Sequence, residues 1–120
     1  MFVGCQSKQD VNSLTEDQLL QYASSPYDEQ SFRQSTVALG KLNGVEVIAE
    51  HVCSDVCPAA TIRIIHFEVP SGANCTGVGG VDKSIEVPEG TGTATKTYCF
   101  PTILIENWDN YIRYMRRTGP

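Results

Sequence analysis

The sequence lacks any run near the roughly 18 uninterrupted apolar residues that a membrane-crossing helix requires. Its best apolar stretch, VEVIAEHV, is interrupted by two glutamates and a histidine. Positive charge is also short: 9 Lys and Arg stand against 14 Asp and Glu, a formal net charge of -5 and a pI of about 4.9. The acidic excess lies in the first half, where it would repel a phosphate backbone, so nucleic acid is not an expected partner. No internal repeat, heptad pattern or low-complexity tract is present, which removes solenoids and coiled coils.

Catalytic signatures are missing too. The serines have no nucleophile-elbow context, and both histidines fall in strand-like segments. GVGG and GTGT do not lie between a strand and a helix with a following lysine and hydroxyl, so they read as tight turns rather than phosphate cradles. No catalytic residue and no cofactor is assigned.

What is present fits one domain of the α+β class. With 120 residues, one core is enough, and folding buries roughly two-thirds of the unfolded surface at this size. Ser13 or Asn12 is placed to cap a helix from Leu14 to Ala23, with Glu16 and Asp17 in its first turn, Leu19, Leu20 and Tyr22 as candidates for burial, and Pro26 beyond its end. Asp28 is placed to cap a second, shorter helix. In TVALGKLNGVEVIAE, Asn43-Gly44 between two apolar segments predicts a hairpin. The competing reading is a helix from Asp28 to Leu42 with Asn43-Gly44 as its C-cap.

β-branched residues dominate Val45–Val52 and Thr61–Val69, and Ile62, Ile64 and Ile65 put apolar groups on both faces of the second run, which predicts a central strand. A Gly-rich loop follows. Then come KSIEV, with Ile85 and Val87 facing one way and Ser84 and Glu86 the other, and TATKTYCF as its partner strand. Pro101 suits the first turn of a final helix in which Leu104, Trp108, Tyr111, Ile112 and Met115 form one apolar stripe. Arg113, Arg116 and Arg117 read as complements to the dipole at that helix's end. The expected fold is therefore a small, mainly antiparallel sheet with N-terminal helices and a C-terminal amphipathic helix packed on it.

Five cysteines, Cys5, Cys53, Cys57, Cys75 and Cys99, leave one over from any complete pairing. The opening residues Phe2, Val3, Gly4 and Cys5 resemble the end of a bacterial lipobox, although only Met1 to Gly4 precede the cysteine. That resemblance implies a lipid on Cys5 and, from Gln6 after it, the outer membrane, facing the periplasm. Residues 1–12 would then be the leader remnant and a polar tether, and residues 13–120 a single disulfide-braced domain. Cys53, Cys57, Cys75 and Cys99 would supply two disulfides, whose pairing the sequence leaves open among three arrangements.

His51, Cys53, Cys57 and His66 are the residue types of a tetrahedral zinc site, but the spacing argues against one. With His51 opposite a residue near Thr61, His66 stands five residues away, or ~17 Å along a strand. No metal is expected. The expected role is therefore that of an anchored envelope lipoprotein acting by binding or assembly, toward an envelope protein or a small ligand. The loop carrying Ser71, Asn74, Thr76, Gly79 and Gly80 is its candidate binding surface, because a long loop pinned to a rigid sheet is a usual place for function. The alternative is a periplasmic thiol-redox protein using Cys53 and Cys57.

Overall fold

A computed structural model of the protein describes residues 13–25, 36–52 and 61–115. Cys5, Cys53, Cys57, the segment around Asp28, and Arg116 and Arg117 lie outside the described residues.

The first helix, α1, spans Glu16–Ala23. Its cap is Thr15 rather than Ser13 or Asn12, because Thr15 completes a capping box. Gln18 N–H donates to Thr15 Oγ1 at 3.0 Å, and Thr15 N–H donates to Gln18 Oε1 at 3.0 Å. Two backbone donors that a helix start leaves unsatisfied are thereby paired. Ser13 instead bridges to Lys41, and Leu14 N–H donates to Lys41 O at 2.9 Å. Leu19 and Ala23 are buried, whereas Leu20 and Tyr22 are only half-buried.

A three-stranded antiparallel sheet follows, with β1 at Thr36–Leu42, β2 at Val45–Val52 and β3 at Ile62–Phe67. The predicted hairpin is present. Asn43 and Gly44 both take positive φ, at 55° and 80°, as a turn matched to the twist of its strands requires. The order β1-β2-β3 makes β2 the central strand and places β3 at the edge, contrary to the expectation for β3. Its apolar residues are buried all the same, because the strand Gly92–Pro101 and the helix Trp108–Met115 pack against it.

The second sheet is a hairpin of β4, Gly80–Glu89, and β5, Gly92–Pro101. Val87 on one face is buried and Ile85 half-buried, while Ser84, Glu86, Thr95 and Thr97 on the other are exposed, as the alternation predicts. The expected final helix is two: α2 over Thr102–Glu106, with Pro101 as its N-cap, and α3 over Trp108–Met115. Asn107 breaks them apart, its side-chain Nδ2 donating to Ile103 O at 2.9 Å, a local bond of the kind by which Asn competes with helix backbone. Leu104, Tyr111 and Met115 are buried, but Ile112, at the margin of their face, remains 43% exposed.

One core joins the layers. Leu19 and Ala23 of α1, Val47 and Ala49 of β2, Ile65 of β3, and Phe100, Leu104 and Tyr111 belong to a single buried cluster. Arg63, 2% exposed, sits within it. Its guanidinium donates to Ser25 O at 2.7 Å and to Ala23 O at 3.5 Å, and lies 4.6 Å from the Tyr22 ring centroid. A fixed cation at the carbonyl end of α1 complements that helix's dipole.

Candidate functional site

The loop singled out by sequence is held on every side. Cys75 is disulfide-bonded to Cys99 of β5, with Cα atoms 5.5 Å apart, and both are 7% exposed. Gly80 lies against this bond: a Cβ there would collide with Cys99 Sγ and stand 3.0 Å from both Cys75 Sγ and Phe100 O. Asn74 Oδ1 accepts from Gly77 N–H at 2.6 Å and opens a turn of 3-10 helix over Thr76–Val78. Gly79 O accepts from the Thr102 hydroxyl at 2.8 Å. Ser71, Asn74, Thr76 and Gly79 are exposed, whereas Gly80 is buried as the first residue of β4. The Asn74 side-chain oxygen and the Gly79 carbonyl thus serve to hold the loop itself in place.

The two histidines do not meet. His51 pairs with Arg63, two residues beyond Thr61, which leaves His66 three residues away rather than five, and His66 pairs with Ile48. Arg63 and His66 are three residues apart, an odd step along a strand, so the two imidazoles project to opposite faces of the sheet. His66 is instead fixed by protein acceptors, with Nε2 2.9 Å from Glu50 Oε1 and Nδ1 3.0 Å from Phe67 O. Its ring lies 4.9 Å from that of Tyr98. Burial, and secondarily the Glu50 carboxylate, raise the Tyr98 pKa above its ordinary value. With a protein oxygen beside each ring nitrogen and the Tyr98 ring against its face, His66 ties β2, β3 and β5 together.

A groove of about 380 Å³ was not anticipated from the sequence. It is lined by Lys83, Ser84, Ile85 and Glu86 of β4 and by Trp108, Ile112 and Met115 of α3. Four consecutive strand residues line it and no residue of β5 does, so it opens along the outer edge of β4. Lys83 Nζ sits 5.0 Å from the Trp108 ring centroid, and Trp108 in turn packs edge-on against Phe100 at 5.2 Å. The signal that could have found it is Ile112, an isoleucine at the margin of the helical stripe facing a strand of mixed charge.

No protein-family model, no curated protein and no solved structure matches the chain.

A larger cleft, about 720 Å³, lies between Ser13–Glu16 and Lys41–Gly44, but its polar groups include those of the capping box and the Leu14–Lys41 bond. No helix among the described residues is long and apolar enough to cross a membrane. The groove beside β4 combines apolar side chains, a cation and the outer edge of a strand.

Proposed function

We propose that this chain is a lipid-anchored domain of the bacterial cell envelope, tethered through Cys5, that works by binding or assembly rather than by catalysis. The observation that carries the reading is the Cys75–Cys99 disulfide and its fit to Gly80. A buried cross-link for which the neighbouring backbone has been left without a side chain suits an oxidising compartment, where such bonds persist. It also accounts for two of the five cysteines, leaving Cys53 and Cys57 as the remaining pair and Cys5 as the thiol over.

Binding is supported by an open groove with an apolar lining beside β4. Intact-mass measurement on protein recovered from its native membranes tests the reading. Acyl chains on Cys5 and the loss of four hydrogens from the remaining cysteines are expected, and Cys5→Ala should move the protein from the membrane to the soluble fraction. Unacylated protein with four free thiols would overturn the proposal. Fast alkylation of Cys53 and Cys57 near neutral pH would replace binding with thiol-redox chemistry.

A further inference from the structure

We propose that the outer edge of β4 from Lys83 to Glu86, together with α3, takes an extended peptide of another protein as an added antiparallel strand. The peptide pattern it favours, from N- to C-terminus, is basic, aliphatic, any residue, acidic. This rests on the reading of the domain as a binding module and names the chemistry of its partner.

Three observations converge on this edge. β4 pairs only with β5 among the described strands. In an antiparallel ladder alternate residues aim N–H and C=O away from the existing partner, so the span from Lys83 to Glu86 presents two residues' worth of unpaired strand backbone. Beside that edge stands a helix rather than open solvent. Trp108, Ile112 and Met115 form an apolar wall along the groove, and Ile112 is 43% exposed without an occupant. Edge backbone supplying hydrogen bonds, with an adjacent wall supplying pockets for alternate side chains, is the physical recipe for recognition by strand addition.

Charge sets the direction and the pattern. Residues directly opposite in an antiparallel pair share a face. A peptide residue opposite Lys83 therefore stands on the Trp108 side, where an acidic group meets the Lys83 ammonium; no carboxylate among the described residues is within ion-pair distance of it. Two residues earlier in the peptide, the side chain opposite Ile85 faces Ile112 and Met115, which favours an aliphatic group. One residue earlier again lies opposite Glu86 on the other face, where a cation is favoured. A second copy of this chain offers less charge complementarity. Antiparallel self-pairing about Ser84 would set Asp82 of each copy against Glu86 of the other, and pairing about Lys83 would set two ammonium groups together; pairing about Ile85 opposes no like charges but sets Lys83 against Val87 rather than a carboxylate.

Trp108 is the single tryptophan of the chain and lines the groove, so its emission reports occupancy directly. The experiment titrates the full-length protein with a capped synthetic octapeptide of core Lys-Ile-Thr-Glu. Saturable change in Trp108 emission is expected, with at least tenfold weaker binding when alternate peptide amides are N-methylated. The charge-reversed core Glu-Ile-Thr-Lys should also bind at least tenfold more weakly. Lys83→Glu should lose affinity for the first peptide by a similar factor. Combined with Glu86→Lys, it should recover affinity for the charge-reversed peptide, which a merely misfolded variant would not do. Equal binding of the N-methylated peptide, no saturation up to millimolar concentration, or concentration-dependent self-association that Lys83→Glu abolishes would each overturn the inference. Acylation of Cys5 and oxidation of the other cysteines are measured separately, so the inference can fail while the envelope-binding reading stands.

Discussion

The Tyr111 hydroxyl of α3 accepts a hydrogen bond from Ile65 N–H of β3 at 2.9 Å and donates to Arg63 O at 3.2 Å. One phenol thus satisfies a donor and an acceptor on the free edge of β3, where a fourth strand would otherwise be needed. Tyr111 is 1% exposed, so water cannot replace it. Tyr111→Phe keeps the ring packing against Phe100 and Trp108 but strands both backbone groups. A loss of about 1–3 kcal/mol is expected, the usual cost of leaving a buried polar group unpaired. Urea unfolding measures it, and faster hydrogen exchange at the Ile65 amide locates it.

The same hydroxyl gives the fold an alkaline limit. Burial raises the Tyr111 pKa far above the ordinary value of 10.0, outweighing the hydrogen bond from Ile65 and the attraction of Arg63, which lower it. The folded state therefore holds the phenol proton more tightly than the unfolded chain does. Stability from this group is complete below pH ~10 and falls as pH rises beyond the unfolded value. Midpoints of urea unfolding should decline above pH ~10, with the decline smaller in Tyr111→Phe than in the parent. An identical alkaline slope in the two proteins would refute the assignment.

Arg63 closes α1 from the sheet. Replacing it with Met retains an apolar stem of comparable length but leaves Ser25 O without its charged donor and the Tyr22 ring without its cation. A hydrogen bond to a charged group contributes roughly 1.5–3 kcal/mol. Arg63→Met should lose stability in that range, with amide protection falling first in the last turn of α1. Arg63→Lys should recover only part, since an ammonium lacks the guanidinium's planar fork.

How much of this was legible in the sequence follows from the range of the forces involved. Asn43-Gly44 announces its hairpin because the turn depends only on its own two backbone angles, and the alternation around Ile85 announces a half-wet strand for a similarly local reason. The position of β3 at the sheet edge was hidden. Its apolar residues on both faces read as a central strand, and only the distant Tyr111 and β5 explain how an edge strand can be so buried. Asn107 divides the final helix through one side-chain bond that no apolar periodicity records. The groove needs β4 and α3 brought together across more than twenty residues of chain, and no periodicity within either element records it. The pairing of Cys75 with Cys99 was one of three arrangements by counting, and the bare backbone of Gly80 beside it acquires meaning only once both sulfurs are in place.

That relation between Gly80 and the disulfide makes a prediction in which two defects partly cancel. Gly80→Ala drives a methyl group into Cys99 Sγ and close to Cys75 Sγ and Phe100 O. Overpacking of this kind costs about 1–3 kcal/mol. Cys75→Ala with Cys99→Ala removes the cross-link and should cost about 2–5 kcal/mol, the usual loss for a native disulfide in a small domain. If the glycine is there to make room for sulfur, the three changes together must cost less than their sum, because the methyl then enters space the sulfurs have vacated. A favourable coupling of about 0.5–3 kcal/mol is the range for groups in contact, and part of the alanine's cost should remain because Phe100 O stays where it is. Urea unfolding of the parent, the single, the double and the triple variant measures the cycle. Strict additivity would mean that Gly80 is required by its backbone alone, and its fit to the disulfide would no longer favour an oxidising compartment.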